Sequence, residues 1–177
     1  MHSYTELVFR STEVMLGSLR ESSDRLIGLL QESASTPLVK GLQAVQLQKA
    51  ILAVGMFSIF EARLQDGLNC NDGFGFREVG QVLERAGYAV LKGRLEDLAL
   101  AINVLKHGRG RSYDALVAKA NTLPFRIKRP GEAFFAEGDV AEIQTLIEVD
   151  DAFVRTCADV IYEVADAIRS VRPNFVV

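Results

Sequence analysis

The chain is poor in the side chains that most site chemistry draws on. Its 177 residues include two cysteines, Cys70 and Cys157, and two histidines, His2 and His107. Two cysteines are too few for a disulfide scaffold, and they lack the close spacing of a metal pair. With one histidine at the extreme N-terminus and one in the interior, a multi-histidine metal centre cannot form within one chain. Neither a metal nor a cofactor is expected. Charge of one sign is not in excess either: the formal net charge is −3, so there is no global nucleic-acid signature. The first twenty residues hold Glu6, Arg10, Glu13 and Arg20 and lack the apolar segment of a signal peptide. The most apolar run, Ala50 to Phe60, has eleven residues, short of the ~20 that a bilayer needs. These absences predict a cytoplasmic protein with no membrane span. The P-loop, the dinucleotide-binding glycine fingerprint, the G-x-S-x-G elbow and H-E-x-x-H are absent too.

What is present is a large apolar fraction, 49%, arranged at helical period. It predicts an all-α chain: a single antiparallel bundle over residues 1–177 with four to five main helices. Residues 3–33 read as one long helix with Val8, Met15, Leu19, Leu26 and Leu30 on its core side. The stretch from Ser33 to Pro37 breaks it. A second helix spans 38–68, and its middle, AILAVGMFSIF, is apolar nearly all round, which predicts a central helix covered on several sides. Asn69 to Gly75 is a loop by composition and contains Cys70, to which no role is assigned. A short helix follows near Phe76–Ala86, with Phe76, Val79, Val82 and Leu83 on one side. A long helix at 91–107 and another short one at Tyr113–Ala120 come next. Residues 121–140 form one irregular loop, in which Phe125–Lys128 alternates like a short strand and Phe134 and Phe135 tuck the loop onto the bundle. The last helix, 150–171, carries the stripe Phe153, Cys157, Val160, Ile161, Val164, Ile168 and Val171. Cys157 is thereby a small core residue.

The 91–107 helix organises the rest. Leu91, Leu95, Leu98, Ile102 and Leu105 form one apolar stripe. An advance of ~100° per residue puts Glu96, Asn103 and His107 together on the opposite side. Leu100 and Val104 lie next to them as a second apolar strip, which predicts contact with another helix or another subunit, hence a homodimer. Gly108 fits the C′ position, where a left-handed residue caps the last carbonyls. Lys106 and His107 suit the negative end of the helix dipole. Ser112 is expected to N-cap the next helix, with Asp114 in its first turn. Read this way, Gly108-Arg109-Gly110-Arg111 is a short solvated connection.

Charge is unevenly spread. Lys106 to Arg129 has seven Lys/Arg and one acid, Asp114, a local net of +6, which leaves −9 for the rest of the chain. Glu132 to Asp166 has ten acids and one base, Arg155. The basic block either binds phosphates by releasing their counterions or pairs with the acidic helix inside the fold or across a dimer.

The residues that could carry chemistry are Asn103, Lys106, His107, Arg109 and Arg111. Histidine titrates nearest neutrality and is the natural general acid or base. Asn103, one turn earlier, could hold a phosphate, a ribose hydroxyl or the imidazole. The arginines and Lys106 could offset phosphate charge in a transition state. RNA cleavage through the ribose 2′-OH requires only such groups. The alternative is a helix-terminal histidine bonded to backbone carbonyls, with the arginines in water. Glu61, directly after the central apolar run, is either the point where that helix emerges into solvent or a carboxylate near a site. Glu61 and Glu96 are the candidates for a supporting role.

An all-helical bundle whose late helix ends in N-x-x-x-H, followed by glycine and basic residues, resembles the HEPN superfamily. Phe60-Glu61, closing the central helix, is similar to some members. The resemblance covers the helical order from about residue 40 onward, and Asn103 and His107 carry its motif. It implies a four- or five-helix bundle, often homodimeric. Active members are metal-independent RNases of toxin–antitoxin, abortive-infection and antiviral defence systems, with paired motifs facing across the dimer cleft. By position His107 matches the acid/base and Asn103 the motif asparagine. The family arginine would fall at Leu100, Ala101 or Ile102, none of which is basic. The expectations that follow are an endoribonuclease using His107, or a catalytically degenerate module that binds RNA, an antitoxin or another protein partner through the basic loop.

Overall fold

The computed structural model describes residues 3–33, 35–70, 75–132, 134, 142–173 and 175. Among these the protein is all-α, with six helices and a single β-bridge: α1 (Tyr4–Glu32), α2 (Thr36–Leu68), α3 (Gly75–Arg85), α4 (Ala89–His107), α5 (Arg111–Ala118) and α6 (Asp151–Val171).

Local chemistry fixes the helix ends. The Ser3 hydroxyl accepts from the Glu6 N–H at 3.3 Å and caps α1. Pro37 lies in the first turn of α2, where its missing N–H costs nothing. Asn69, at φ 53, turns the chain out of α2 in the left-handed region that asparagine tolerates. The Asp150 carboxylate accepts from the Phe153 N–H at 2.7 Å and starts α6.

Helix α6 forms the middle of the bundle and touches α1, α2, α3 and α4. The predicted stripe is buried from Phe153 to Ile168, and Val154, Ala158, Ala165 and Ala167 are buried beside it. Burial pushes the Cys157 thiol well above its ordinary range. Val171, the last residue of the expected stripe, is exposed. Among the helices, α1 touches only α2 and α6 and α5 touches only α4, so α1 and α5 lie on different flanks. At the start of α6, Asp151 joins three helices, accepting from Lys49 of α2 at 2.8 Å and from Arg20 of α1 at 3.0 Å. Partial burial raises its pKa, but the two cations outweigh that and hold the carboxyl below its usual range.

Helix α2 also touches four helices, yet it is not covered all round. Phe57, Phe60 and Leu64 are fully buried, while Leu47, Ile51 and Ile59 are half exposed or more. By length and composition α2 could cross a membrane: an 18-residue window reaches mean hydropathy 1.3, with 33% of it buried. The apolar window is thus longer than the eleven-residue run, a property that core helices of soluble proteins share. The core face of α1 also differs from the expected stripe. Thr5, Val8, Thr12, Leu16 and Leu19 are buried, Met15 is exposed, and Leu26 and Leu30 are not fully buried. Two threonines take positions that an all-aliphatic reading gives to larger side chains.

The irregular segment after α5 is stitched to the bundle at a few points. Ile127 and Ile147 form one antiparallel bridge, with the Lys128 N–H donating to the Leu146 carbonyl at 2.8 Å. The alternating Phe125–Lys128 run thus gives one bridge, not a strand. Phe125 meets Phe153 edge-on at 5.3 Å. Phe134 is half-buried with Arg126 and Lys128 over its ring at 5.4 and 5.8 Å. Phe135 lies outside the described residues.

Candidate functional site

The corner where α4 ends and α5 begins gathers the residues that the sequence singles out. Leu91, Leu95, Leu98 and Ile102 are buried and Leu105 packs against the core, so α4 has the expected inner face. Asn103 and His107, one turn apart on the opposite face, are both exposed. Gly108 follows at φ 73, a conformation that favours glycine. Its N–H donates to the Val104 carbonyl at 2.8 Å and closes the helix. Arg111 opens α5 behind Gly110, and no side chain caps that helix; Ser112 lies inside it and is not the cap expected of it. Asp114 is in the first turn as expected.

The basic block divides into two sets. Lys119 pairs with Asp97 on α4. Arg126 pairs with Glu148 at 3.2 Å and Lys128 with Glu142 at 2.8 Å. Arg129 donates to the Asn121 side chain, and its backbone N–H donates to the Glu132 carboxylate at 3.1 Å. Those four tie the irregular segment to itself and to α4. Lys106, Arg109 and Arg111 remain, all exposed and with no acidic partner among the described residues. Arg111 at the first position of α5 is also at the positive end of a helix dipole, where a cation is disfavoured. Internal stability gives no reason for it there.

Tyr113 is the residue that sequence reasoning missed. It is buried, and its hydroxyl donates to the Lys128 carbonyl at 2.7 Å, fastening α5 to the bridge segment. The Arg109 guanidinium lies over its ring at 5.7 Å. The i, i+4 spacing of Arg109 and Tyr113 was the available signal. No described side-chain hydrogen bond or ion pair engages Asn103, Lys106, His107 or Arg111.

The two carboxylates expected in support are not brought to this corner. Glu96 lies eleven residues before His107, about 16 Å along the axis, and faces Lys92 at 3.8 Å. Glu61 lies against Gly75 at the start of α3. No described contact joins either to His107. The strip expected to meet another subunit is closed within the chain: Val104 is buried and Leu100 packs against the core. Leu100, Ala101 and Ile102, where the family arginine would fall, are therefore turned inward wholly or in part. Among the described residues no group of three or more His, Cys, Asp or Glu is placed to hold a metal ion.

Comparison with protein-family models, with curated proteins and with solved structures found no match. The resemblance to the HEPN superfamily accordingly rests on the helical order and on Asn103 and His107.

Proposed function

We propose that the α4–α5 corner acts on RNA, as the site of a HEPN-like, metal-independent endoribonuclease of a cytoplasmic toxin–antitoxin or antiviral defence system. The observation that carries this reading is the separation of the basic block. Its four internally engaged members leave Lys106, Arg109 and Arg111 without an acidic partner among the described residues, all within four residues of an exposed His107, with exposed Asn103 one turn before it. Three cations with no internal acid next to a titratable imidazole suit a phosphodiester.

In this reading His107 takes the proton of a ribose 2′-OH as that oxygen attacks phosphorus. The P–O5′ bond breaks, the leaving oxygen takes up a proton, and a 2′,3′-cyclic phosphate remains. Arg109 and Arg111 neutralise the charge that develops on the phosphoryl oxygens. Asn103 holds the ribose or the phosphate. Tyr113 positions Arg109.

A second reading, a catalytically degenerate module that binds RNA or a protein partner at the same corner, is favoured by one observation. The chain supplies no basic residue at Leu100, Ala101 or Ile102.

One experiment separates the two. Purified wild type and His107→Ala are incubated with total RNA and a tRNA pool in EDTA. Cleavage by wild type alone, leaving 2′,3′-cyclic phosphate ends, supports the nuclease. The melting temperatures of the two proteins should agree closely, because His107 is exposed and makes no described side-chain contact. Retention of RNA by both proteins without cleavage supports the binding module.

A further inference from the structure

The irregular segment after α5 contains a tight turn whose two charged ends line one cavity without pairing with each other. Arg129-Pro130-Gly131-Glu132 has the features of a type II turn. The Glu132 N–H donates to the Arg129 carbonyl at 3.0 Å, proline takes the second position, and Gly131 at φ 82 supplies the positive φ of the third. The Glu132 carboxylate closes the turn from the other side, accepting from the Arg129 N–H at 3.1 Å. That bond anchors one carboxylate oxygen. The Arg129 guanidinium is anchored elsewhere, by one nitrogen on the Asn121 side chain. Among the described residues the two charged groups form no ion pair with each other. Both line a cavity of about 490 Å³, with Leu123, Pro124, Phe125 and Arg126 among its other walls.

We propose that this cavity receives a guanine base of the RNA on which the α4–α5 corner acts, a link that rests on the reading of that corner given above. The first argument is donor and acceptor chemistry. An ionised carboxylate only accepts and a guanidinium only donates. Opposite charges three residues apart, each anchored elsewhere, leave the space between them to a ligand with both kinds of edge. Guanine has both. Its N1–H and N2 amine are adjacent donors for a carboxylate, and its O6 and N7 are adjacent acceptors for the guanidinium fork. Adenine and cytosine offer a carboxylate one amine each, and uracil one ring N–H, so none of them satisfies both groups bidentately. The second argument is size and lining. The volume lies within the roughly 300–1,000 Å³ of small-molecule sites, and Leu123, Pro124 and Phe125 give apolar walls for the faces of a base. Phe125 is itself locked edge-on against Phe153 of α6 at 5.3 Å, so that wall is fixed by the core.

The third argument is position. Tyr113 has Arg109 over its ring at 5.7 Å, and its hydroxyl donates to the carbonyl of Lys128, the residue before Arg129, at 2.7 Å. One side chain thus separates the corner from the segment that lines the cavity. Phosphate contacts position a strand and base contacts specify it. The corner supplies the first kind and the cavity the second, and a base contact neutralises no phosphate.

The test has two arms. In the first, the full chain is titrated with free guanosine, inosine, adenosine and cytidine and followed by amide NMR. Guanosine should shift the Phe125, Arg126 and Ile127 amides and bind ~10-fold more tightly than adenosine or cytidine. Inosine, which lacks the N2 amine, should fall between them. Glu132→Gln keeps an oxygen for the Arg129 N–H, so the turn persists, but its amide presents a donor to the guanine amine. It should remove the preference, as should Arg129→Gln, with the remaining amides unmoved. Equal binding of guanosine and adenosine, no shift at the cavity, or a preference that survives both substitutions overturns the guanine site. In the second arm, short uridine strands with one central guanosine or one central adenosine are compared by fluorescence anisotropy. Wild type should prefer the guanosine strand ~10-fold, Glu132→Gln should bind both alike, and Arg109→Ala should weaken both alike. Selection of free guanosine without selection between the strands overturns the link to RNA and assigns the cavity to a free guanine nucleotide. Selection of free guanosine with no affinity for either strand does the same and also removes RNA from the corner, so the two readings fail separately.

Discussion

A buried hydroxyl without a partner costs roughly 1–3 kcal/mol of desolvation, and Thr12 carries one: its Oγ1 is buried and has no hydrogen-bond partner. Valine has nearly the same shape and no polar atom. Thr12→Val should therefore stabilise the protein by about 1 kcal/mol, read as a higher urea midpoint at unchanged slope. A lower midpoint would mean that the hydroxyl is satisfied in solution. The same residue separates the expected α1 core face from the observed one. An apolar stripe search passes over threonine and picks Met15, one helical neighbour away, whereas Thr5, Thr12 and Leu16 are the residues that turn inward. At the corner the residue scale was far more legible. Gly108 announced the end of α4 because a positive φ favours glycine over nearly every other residue, and the unpaired cations were visible as letters. Their partners were not, since Glu142 and Glu148 reach Lys128 and Arg126 only through the tertiary fold.

At the scale of the element, the packing of α1 on α2 depends on Tyr4. Its ring stacks on Phe60 with centroids 6.5 Å apart, and its hydroxyl donates to the Met56 carbonyl at 2.7 Å. Burial pushes the phenol from 10.0 up to about 12, with Arg63 acting weakly in the other direction. The folded state holds this proton more tightly than the unfolded state. The contribution of the phenol to stability is thus complete below the unfolded value and is lost as pH rises through the folded one. Tyr4→Phe keeps the ring and removes the proton. It should cost about 1 kcal/mol near neutrality, and the gap between wild type and variant should close between pH 10 and about 12. A gap constant across that range would mean that Tyr4 titrates normally. The existence of α1, α2, α4 and α6 follows from apolar period and capping signals over long stretches. What those signals do not contain is which side of α2 stays bare, because AILAVGMFSIF reads as apolar on every face. That depends on how many neighbours the chain can supply, and the side bearing Leu47, Ile51 and Ile59 stays exposed, with no helix from among the described residues over it.

At the scale of the whole molecule, a chain of net charge −3 can engage a polyanion only where its cations are not already answered from within. Internal pairing takes Lys119, Arg126 and Lys128, and the Asn121 side chain holds Arg129. Within the basic block, Lys106, Arg109 and Arg111 are the members that, among the described residues, have no ion pair or side-chain hydrogen bond and are left to release counterions. Affinity for a single strand falls with salt at a slope of about −0.7 per neutralised phosphate, so three free cations predict a log–log slope of about −2, whereas the full block of seven would give about −5. Titration of a labelled single-stranded RNA by fluorescence anisotropy between about 50 and 200 mM salt measures it directly. A slope near −2 that falls by about 1 with Arg109→Ala or with Arg111→Ala would place the contact at the α4–α5 corner. A slope near −5 would mean that RNA breaks the internal pairs and recruits the whole segment from Lys106 to Arg129. Loss of the slope changes under both substitutions would move the contact off the corner altogether.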